Sequence, residues 1–274
     1  MRDSWRPYLQ IRAPRYTSYP SALRFNDGVD AGAFADKLAG IGPYEPVSLY
    51  VHVPFCRRMC WYCGCTMRVE NNYARVRRYV DALCEEIRAV GDVLSGRGRP
   101  IGVHFGGGTP NILHNEDLAR VLQAVEESIG LTDDARLAIE LDPRLLENGD
   151  AAALRTLGFT RISLGVQDFD RHVQEAINRV QSFELVEACV SDMRVAGVDD
   201  LSIDILYGLP KQTERTFLRT LDKVVALSPD RVSVFGYAHL PSVLANQRMI
   251  VDADLPDDAL RGELAEMADG ALLR

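Results

Sequence analysis

The chain has 274 residues, enough for one large domain or two ordinary ones, and its 47% hydrophobic and 26% charged residues are the make-up of a soluble globular protein. A formal net charge of −8 argues against general binding to a nucleic-acid backbone. No apolar run approaches the length of a membrane span, and "MRDSWRPYLQIRAPRY" at the N-terminus lacks the apolar stretch of a signal peptide. A cytoplasmic, reducing setting without a membrane or nucleic-acid partner is therefore expected, and clustered cysteines there more often hold metal than form disulfides.

In chain order, residues 1–46 are rich in proline and aromatics ("PRYTSYPSALRF") and read as an irregular arm ahead of one βα-alternating unit over 47–274. Six β-rich runs follow: Val47–Val53, Ile101–Phe105, Arg136–Leu141, Thr160–Val166, Asp200–Ile205 and Asp230–Gly236. Several are mostly apolar rather than alternating, as expected of strands buried on both faces. Between them the apolar residues step by three or four, the mark of one helix face. Val76, Val80, Leu83, Ile87, Val90 and Leu94 form one such face, and Leu118, Val121, Leu122, Val125 and Ile129 the next. Val186, Cys189, Val190, Met193 and Ala196 give a third, and Phe217, Leu221 and Val224 a fourth. Cys84 and Cys189 fall on these faces and read as small packing residues.

Strands joined by helical crossovers imply a parallel α/β sheet with right-handed connections. Six strands are short of the eight of a closed barrel, leaving a doubly wound open sheet or a curved, incomplete barrel. In both, chemistry gathers at the C-terminal ends of the strands. The unusual residues do follow the strands: the cysteines after the first, "GGGTP" after the second, "ELDP" at the third, "GVQDF" at the fourth, "DILYGLPKQT" at the fifth and "GYAHLP" at the sixth.

The stretch "LYVHVPFCRRMCWYCGCT" places Cys56, Cys60, Cys63 and Cys65 in one tight loop with the spacing C-x3-C-x2-C-x-C. Structural zinc sites usually bring two separated knuckles together, and no second knuckle is present. Three close thiolates can instead hold three irons of a [4Fe–4S] cube, leaving the fourth iron open. Around the loop lie Arg57, Arg58, Arg68, Arg75, Arg77 and Arg78, relieved only by Glu70. Such runs are mostly solvated faces; the functional alternative is a rim that attracts carboxylates or phosphates.

C-x3-C-x2-C after the first strand of a β/α barrel resembles the signature of radical S-adenosylmethionine (SAM) enzymes. In that superfamily SAM chelates the open iron through its amino and carboxylate groups, and its reductive cleavage gives a hydrogen-abstracting 5′-deoxyadenosyl radical. The segments "PRYTSYP", "SLYVHVPFCRRMCWYCGC", "HFGGGTPNIL", "IELDP", "GVQDFDRHVQEAINRVQ", "IDILYGLPKQT" and "PDRVSVFGYAHLP" are together similar to the oxygen-independent coproporphyrinogen III oxidase family, in order from residue 14 to about 250. The resemblance implies an incomplete (β/α)6 partial TIM barrel. It also implies oxidative decarboxylation of two propionates of coproporphyrinogen III to vinyls, giving protoporphyrinogen IX, with a cytoplasmic electron donor and two SAM molecules per site.

Carried over residue by residue, the resemblance makes Cys56, Cys60 and Cys63 the cluster ligands and Cys65 a bystander. Tyr50, Gly106, Gly107, Gly108, Thr109, Glu140, Gln167, Arg179, Asp204 and Ala238 match SAM contacts, and Tyr62 stands where the cluster loop meets the second SAM. Taken alone, Tyr50 is an ordinary strand aromatic, "GGGTP" a plain turn, and Arg179 a helix charge whose planar fork would suit a carboxylate. His52 and His239 are assigned no role. Members of the family are longer, with a largely helical C-terminal domain over the site, so a chain lacking it is expected to turn over weakly, if at all. Two rival readings are a related haem-binding chaperone, whose members carry an aromatic at the place of Cys65 and lack "PRYTSYP", and a zinc-stabilised interaction module.

Overall fold

The computed structural model describes residues 24–273, so the "PRYTSYP" motif lies outside the described residues. Residues 24–46 hold one helix that the sequence reading did not anticipate, α1 (Ala31–Ala39), capped by Asp30, whose side chain accepts from the Ala33 N–H at 2.8 Å. The main sheet consists of β1 (Pro46–Val53), β4 (Arg99–Gly107), β5 (Arg136–Leu141), β6 (Phe159–Gln167), β7 (Asp200–Tyr207) and β8 (Arg231–Gly236). Between β1 and β4 sits a two-residue parallel ladder, β2 (Phe55–Cys56) with β3 (Arg68–Val69).

The six strands lie side by side in sequence order, every pair is parallel, and β1 and β8 are not paired to each other. This order decides between the two architectures left open by the sequence. A doubly wound sheet reverses direction at a switch point, whereas a sheet that always advances the same way puts every right-handed crossover on one face. The molecule is thus a curved half-barrel with its helices outside.

Those helices are α2 (Tyr73–Leu94), α3 (Asn115–Ser128), α4 (Asp150–Thr156), α5 (Arg171–Ala176), α6 (Phe183–Val195), α7 (Glu214–Ala226) and α8 (Asp258–Leu272). Each of the four apolar faces read from periodicity is buried, Val76, Leu118, Val186 and Phe217 among them, and Cys84 and Cys189 are buried with them. The expectation of burial on both faces holds in part: Leu137–Ile139 in β5 and Leu201–Ile203 in β7 are buried in succession, whereas β6 alternates. In β6, Ile162, Leu164 and Val166 are fully buried against the helices, while Ser163, Gly165 and Gln167 on the other face are only half-buried. The inner face is polar because nothing within the described chain covers it, and it faces the cavity described next.

Candidate functional site

The cysteine loop hangs between β2 and β3 and is tied at several points. The β2/β3 pairing closes its base, with the Arg68 N–H donating to Pro54 O at 2.9 Å and the Glu70 N–H to Cys56 O at 3.0 Å. Buried Glu70 collects Arg68 and Arg75, so two of the six arginines noted above are neutralised locally rather than presented as a bare rim. His52 Nε2 lies 2.9 Å from Thr66 O, and Asn178 Nδ2 donates to Met59 O at 2.8 Å. From the far end of the chain, Asn246 Nδ2 donates to the carbonyls of Cys60, Trp61 and Cys63 at 2.9–3.3 Å, and Gln247 Nε2 to Tyr62 O at 3.0 Å. Such donors satisfy loop carbonyls that would otherwise be stranded, and they fix the thiols on a rigid frame.

Above the C-terminal ends of the strands lies a cavity of about 480 Å3. Cys56, Cys60, Cys63 and Cys65 line it, together with Tyr62, Gly107, Gly108, Thr109, Glu140, Gln167, Arg179, Asp204 and Ala238. Two of the residues singled out from the sequence, Tyr50 and Gly106, do not line it. Tyr50 is 59% exposed, bonds His52 Nδ1 at 3.1 Å and stacks on His104. A Cβ on Gly106 would meet the Tyr50 ring at 2.9 Å and Glu140 Oε1 at 3.0 Å, so Gly106 is the space that lets Tyr50 and Glu140 approach at the rim.

The glycine turn is tied to the start of the cysteine loop. Gly108 N–H donates to Val53 O and Thr109 N–H to Phe55 O, both at 2.8 Å, so these two donors are used within the protein. A Cβ on Gly108 would lie 2.5 Å from Phe55 O, so the turn exists to let the start of the cysteine loop lie flat on β4. Gln167 adopts a left-handed backbone, φ 71°, at the bulge where β6 leaves its register with β7. A non-glycine residue held there at the end of a strand is the kind of local strain found where a side chain must be aimed.

The electrostatic centre is Asp142, on the strand–loop boundary after β5. It accepts from Arg144 Nη2 at 2.6 Å and from Arg179 Nη1 at 3.3 Å. Burial alone would push its carboxyl up, but Arg179 and Arg144 outweigh burial and hold it below its ordinary value. The same two arginines reach Cys60 Sγ, at 3.8 and 3.6 Å. Arg179 also donates to Gly165 O, which leaves only its buried Nε without a partner. Its fork is therefore engaged within the protein rather than held open for a ligand carboxylate. Burial raises the Asp204 carboxyl, against the hydroxyls of Ser163 and Ser233 that donate to it.

Among the thiols, burial and then the neighbouring Cys63, Cys60 and Asp142 push Cys56 up to about 12. Close thiols resist ionising together, and a bound metal centre is what turns such a group into thiolates. Four thiols around one cavity, with two guanidinium groups against Cys60 Sγ, fit an anionic, sulfur-rich cluster better than a closed knuckle.

Sequence reasoning missed His104, whose Nε2 is 2.8 Å from Glu140 Oε1, as well as Asp142, Arg144, Asn246 and Gln247. "ELDP" was quoted for its glutamate, and the aspartate two positions on was the available signal. Asn246 and Gln247 lie in an isolated polar turn with no periodicity, so nothing marked them. His52 and His239 prove to be bonded, His239 lying 2.8 Å from Tyr237 Oη and 2.9 Å from Asp252.

Residues 50–224 match the family model described as the radical SAM superfamily. The chain is 43% identical over 258 residues to the oxygen-independent coproporphyrinogen III oxidase of Bradyrhizobium diazoefficiens, covering 94% of this chain and 57% of that protein. It is 44% identical over 243 residues to the Escherichia coli oxidase of the same description, covering 89% of this chain and 53% of that one. The solved structure of the E. coli coproporphyrinogen III oxidase, described as a radical SAM enzyme, superposes with a TM-score of 0.90 at 41% identity, over 94% of this chain and 59% of the other. The chain thus spans between half and three-fifths of the length of these relatives.

Proposed function

The chain belongs to the radical SAM superfamily, and from that premise we propose that it carries the cluster- and SAM-binding half-barrel of an oxygen-independent coproporphyrinogen III oxidase. The observation that carries this reading is the convergence of Cys56, Cys60 and Cys63 with Glu140, Gln167, Arg179 and Asp204 on one cavity, in a fold superposing on the E. coli oxidase. The haem-chaperone alternative is not favoured, since the relatives compared are oxidases.

Cys56, Cys60 and Cys63 would hold a [4Fe–4S] cluster, with SAM beside it. Bound there, the pair supplies one-electron chemistry that removes hydrogen from a propionate side chain. The protein's own residues do the rest. Glu140, kept in place by His104 at 2.8 Å, presents a carboxylate suited to hydroxyl or amino donors. Asp204, anchored by Ser163 at 3.0 Å, offers a second acceptor on the neighbouring strands. Gln167 is aimed into the cavity by its strained backbone, and Ala238, whose carbonyl accepts from Gln247 at 3.1 Å, closes the far side. Tyr62 lines the cavity with its phenol kept protonated by burial, in the position proposed for a second SAM. Arg58 lines the same cavity and is exposed, which suits a propionate of the substrate.

Substrate, electron donor and a cytoplasmic setting belong to the same proposal. Among the described residues no helix is long and apolar enough to cross a membrane. The test is anaerobic reconstitution with iron and sulfide, followed by SAM, a reductant and coproporphyrinogen III. A brown protein with a broad band near 400 nm, forming 5′-deoxyadenosine and losing two carboxyl groups per porphyrinogen, supports the reading. A colourless protein that binds zinc instead refutes it. SAM cleavage without decarboxylation would support the cofactor reading and assign turnover of the substrate to the part of the relatives' length that this chain does not span.

A further inference from the structure

Asp142 lines the cavity, and it is the residue around which the cysteine side of that cavity is organised. Its Oδ1 accepts from Arg144 Nε at 2.9 Å, and its Oδ2 from Arg144 Nη2 at 2.6 Å and Arg179 Nη1 at 3.3 Å. Those last two nitrogens are the ones that also reach Cys60 Sγ, at 3.8 and 3.6 Å. One carboxylate oxygen and one sulfur are therefore bridged twice by the same pair of guanidinium N–H groups. Asp142 is itself fixed, because Asn111 holds its backbone on both sides: Nδ2 donates to Asp142 O and Oδ1 accepts from Asp142 N–H, each at 3.0 Å.

Two guanidinium groups placed side by side in a buried site repel unless an anion lies between them. Asp142 is that anion, and Asn111 sets where it stands. We infer that Asp142 is a positioning residue for the metal centre: it holds Arg144 and Arg179 together on the Cys60 sulfur, so that their N–H groups favour the reduced form of a cluster bound there. The inference rests on the cluster reading above. Hydrogen bonds to cluster sulfurs and the charge around them are the protein's means of setting the reduction potential.

The role can be separated from a mere charge effect by sign. Asp142→Asn removes a negative charge near the centre, and that alone would make reduction easier. Loss of the two N–H···S contacts makes it harder. If Asp142 acts by positioning, the variant's cluster is harder to reduce despite the lost charge. The measurement is a redox titration of the reconstituted cluster followed by electron paramagnetic resonance, with iron and sulfide content measured alongside. The expected result is a midpoint shifted to lower potential, with the reduced-to-oxidised ratio at fixed potential about tenfold lower, equivalent to ~59 mV for one electron. A midpoint unchanged or shifted upward overturns the inference.

Should Asp142→Asn fail to hold a cluster, Asn111→Ala decides, since it frees the backbone of Asp142 without changing any charge. A lowered midpoint supports the role and an unchanged one overturns it. Wild-type protein that takes up no iron and sulfide overturns the cluster reading and this inference together. Wild-type protein with a normal cluster and variants of unmoved potential overturn this inference alone.

Discussion

Asp168 is fully buried and accepts three hydrogen bonds, from the Asp170 N–H at 2.6 Å, Thr220 Oγ1 at 2.9 Å and Gln212 Nε2 at 2.6 Å. It locks the loop after β6 to α7 and to the loop after β7, directly behind Gln167 in the cavity wall. Burial nevertheless wins over these donors and lifts its carboxyl to about 6. A folded-state value above the unfolded one means that the folded protein binds the proton more tightly. The stability this confers is full below about pH 4 and is lost as the pH rises through about 6. The unfolding free energy of the wild type relative to Asp168→Asn should therefore fall by about 1 kcal/mol between pH 5 and 7.5. Denaturant unfolding of the metal-free protein at both pH values measures it; a difference that stays constant or grows would mean that Asp168 is ionised throughout. Sequence reading reached this motif, "GVQDF", and took its glutamine. That the adjacent aspartate is the lock depends on residues 44 and 52 positions away, and no local pattern reveals them.

The elements themselves were largely legible. Each of the six strands was placed within a few residues, because a parallel sheet packed by helices demands apolar runs flanked by 3.6-residue periodicity. The β2/β3 ladder was not, being two residues long in each strand and formed by ring-closing geometry rather than propensity. Nor was the reason for the glycines. Gly108 lies against the backbone of β2, and a Cβ there would sit 2.5 Å from Phe55 O and 2.8 Å from Phe55 C, atoms that cannot swing aside as a flexible side chain would. Gly108→Ala should consequently push the start of the cysteine loop off β4. The expected cost is about 1–3 kcal/mol, the range for forced overpacking. Cys56 sits on that ladder, so iron uptake on reconstitution should drop with it. Thermal unfolding of the metal-free protein and iron per chain after reconstitution measure the two effects. Normal iron content with unchanged stability would mean that the turn relaxes and that the close approach is incidental.

At the scale of the molecule, sequence order and handedness decide what the site can do. Because each crossover advances the sheet by one strand, the C-terminal ends of the six strands lie along one side, and β4, β5, β6, β7 and β8 all contribute residues to the cavity wall. Along β6 the alternation puts apolar residues under the helices and polar ones toward that cavity, while Leu206 of β7 and Phe235 of β8 bring apolar surface to it. The sequence hinted at the polar side only by lone acids such as Glu140 and Asp204. A ligand filling that cavity would meet β5 at Glu140, β6 at Gln167, β7 at Asp204 and the segment after β8 at Ala238. It should therefore stabilise the sheet as a unit rather than one edge of it. A ligand at about 100 times its dissociation constant adds about 2.7 kcal/mol to the folded state. For a chain of this size that corresponds to about 5–10 °C in Tm. Reconstituted protein with its cluster oxidised, so that SAM is bound but not consumed, should show one transition that moves up by that amount on adding SAM. Asp204→Ala should shrink the shift while leaving the transition single. Two transitions, of which SAM moves only one, would mean that the half-barrel melts in parts and that the site belongs to only one of them. No movement at all, with the cluster present, would mean that SAM does not bind the folded chain.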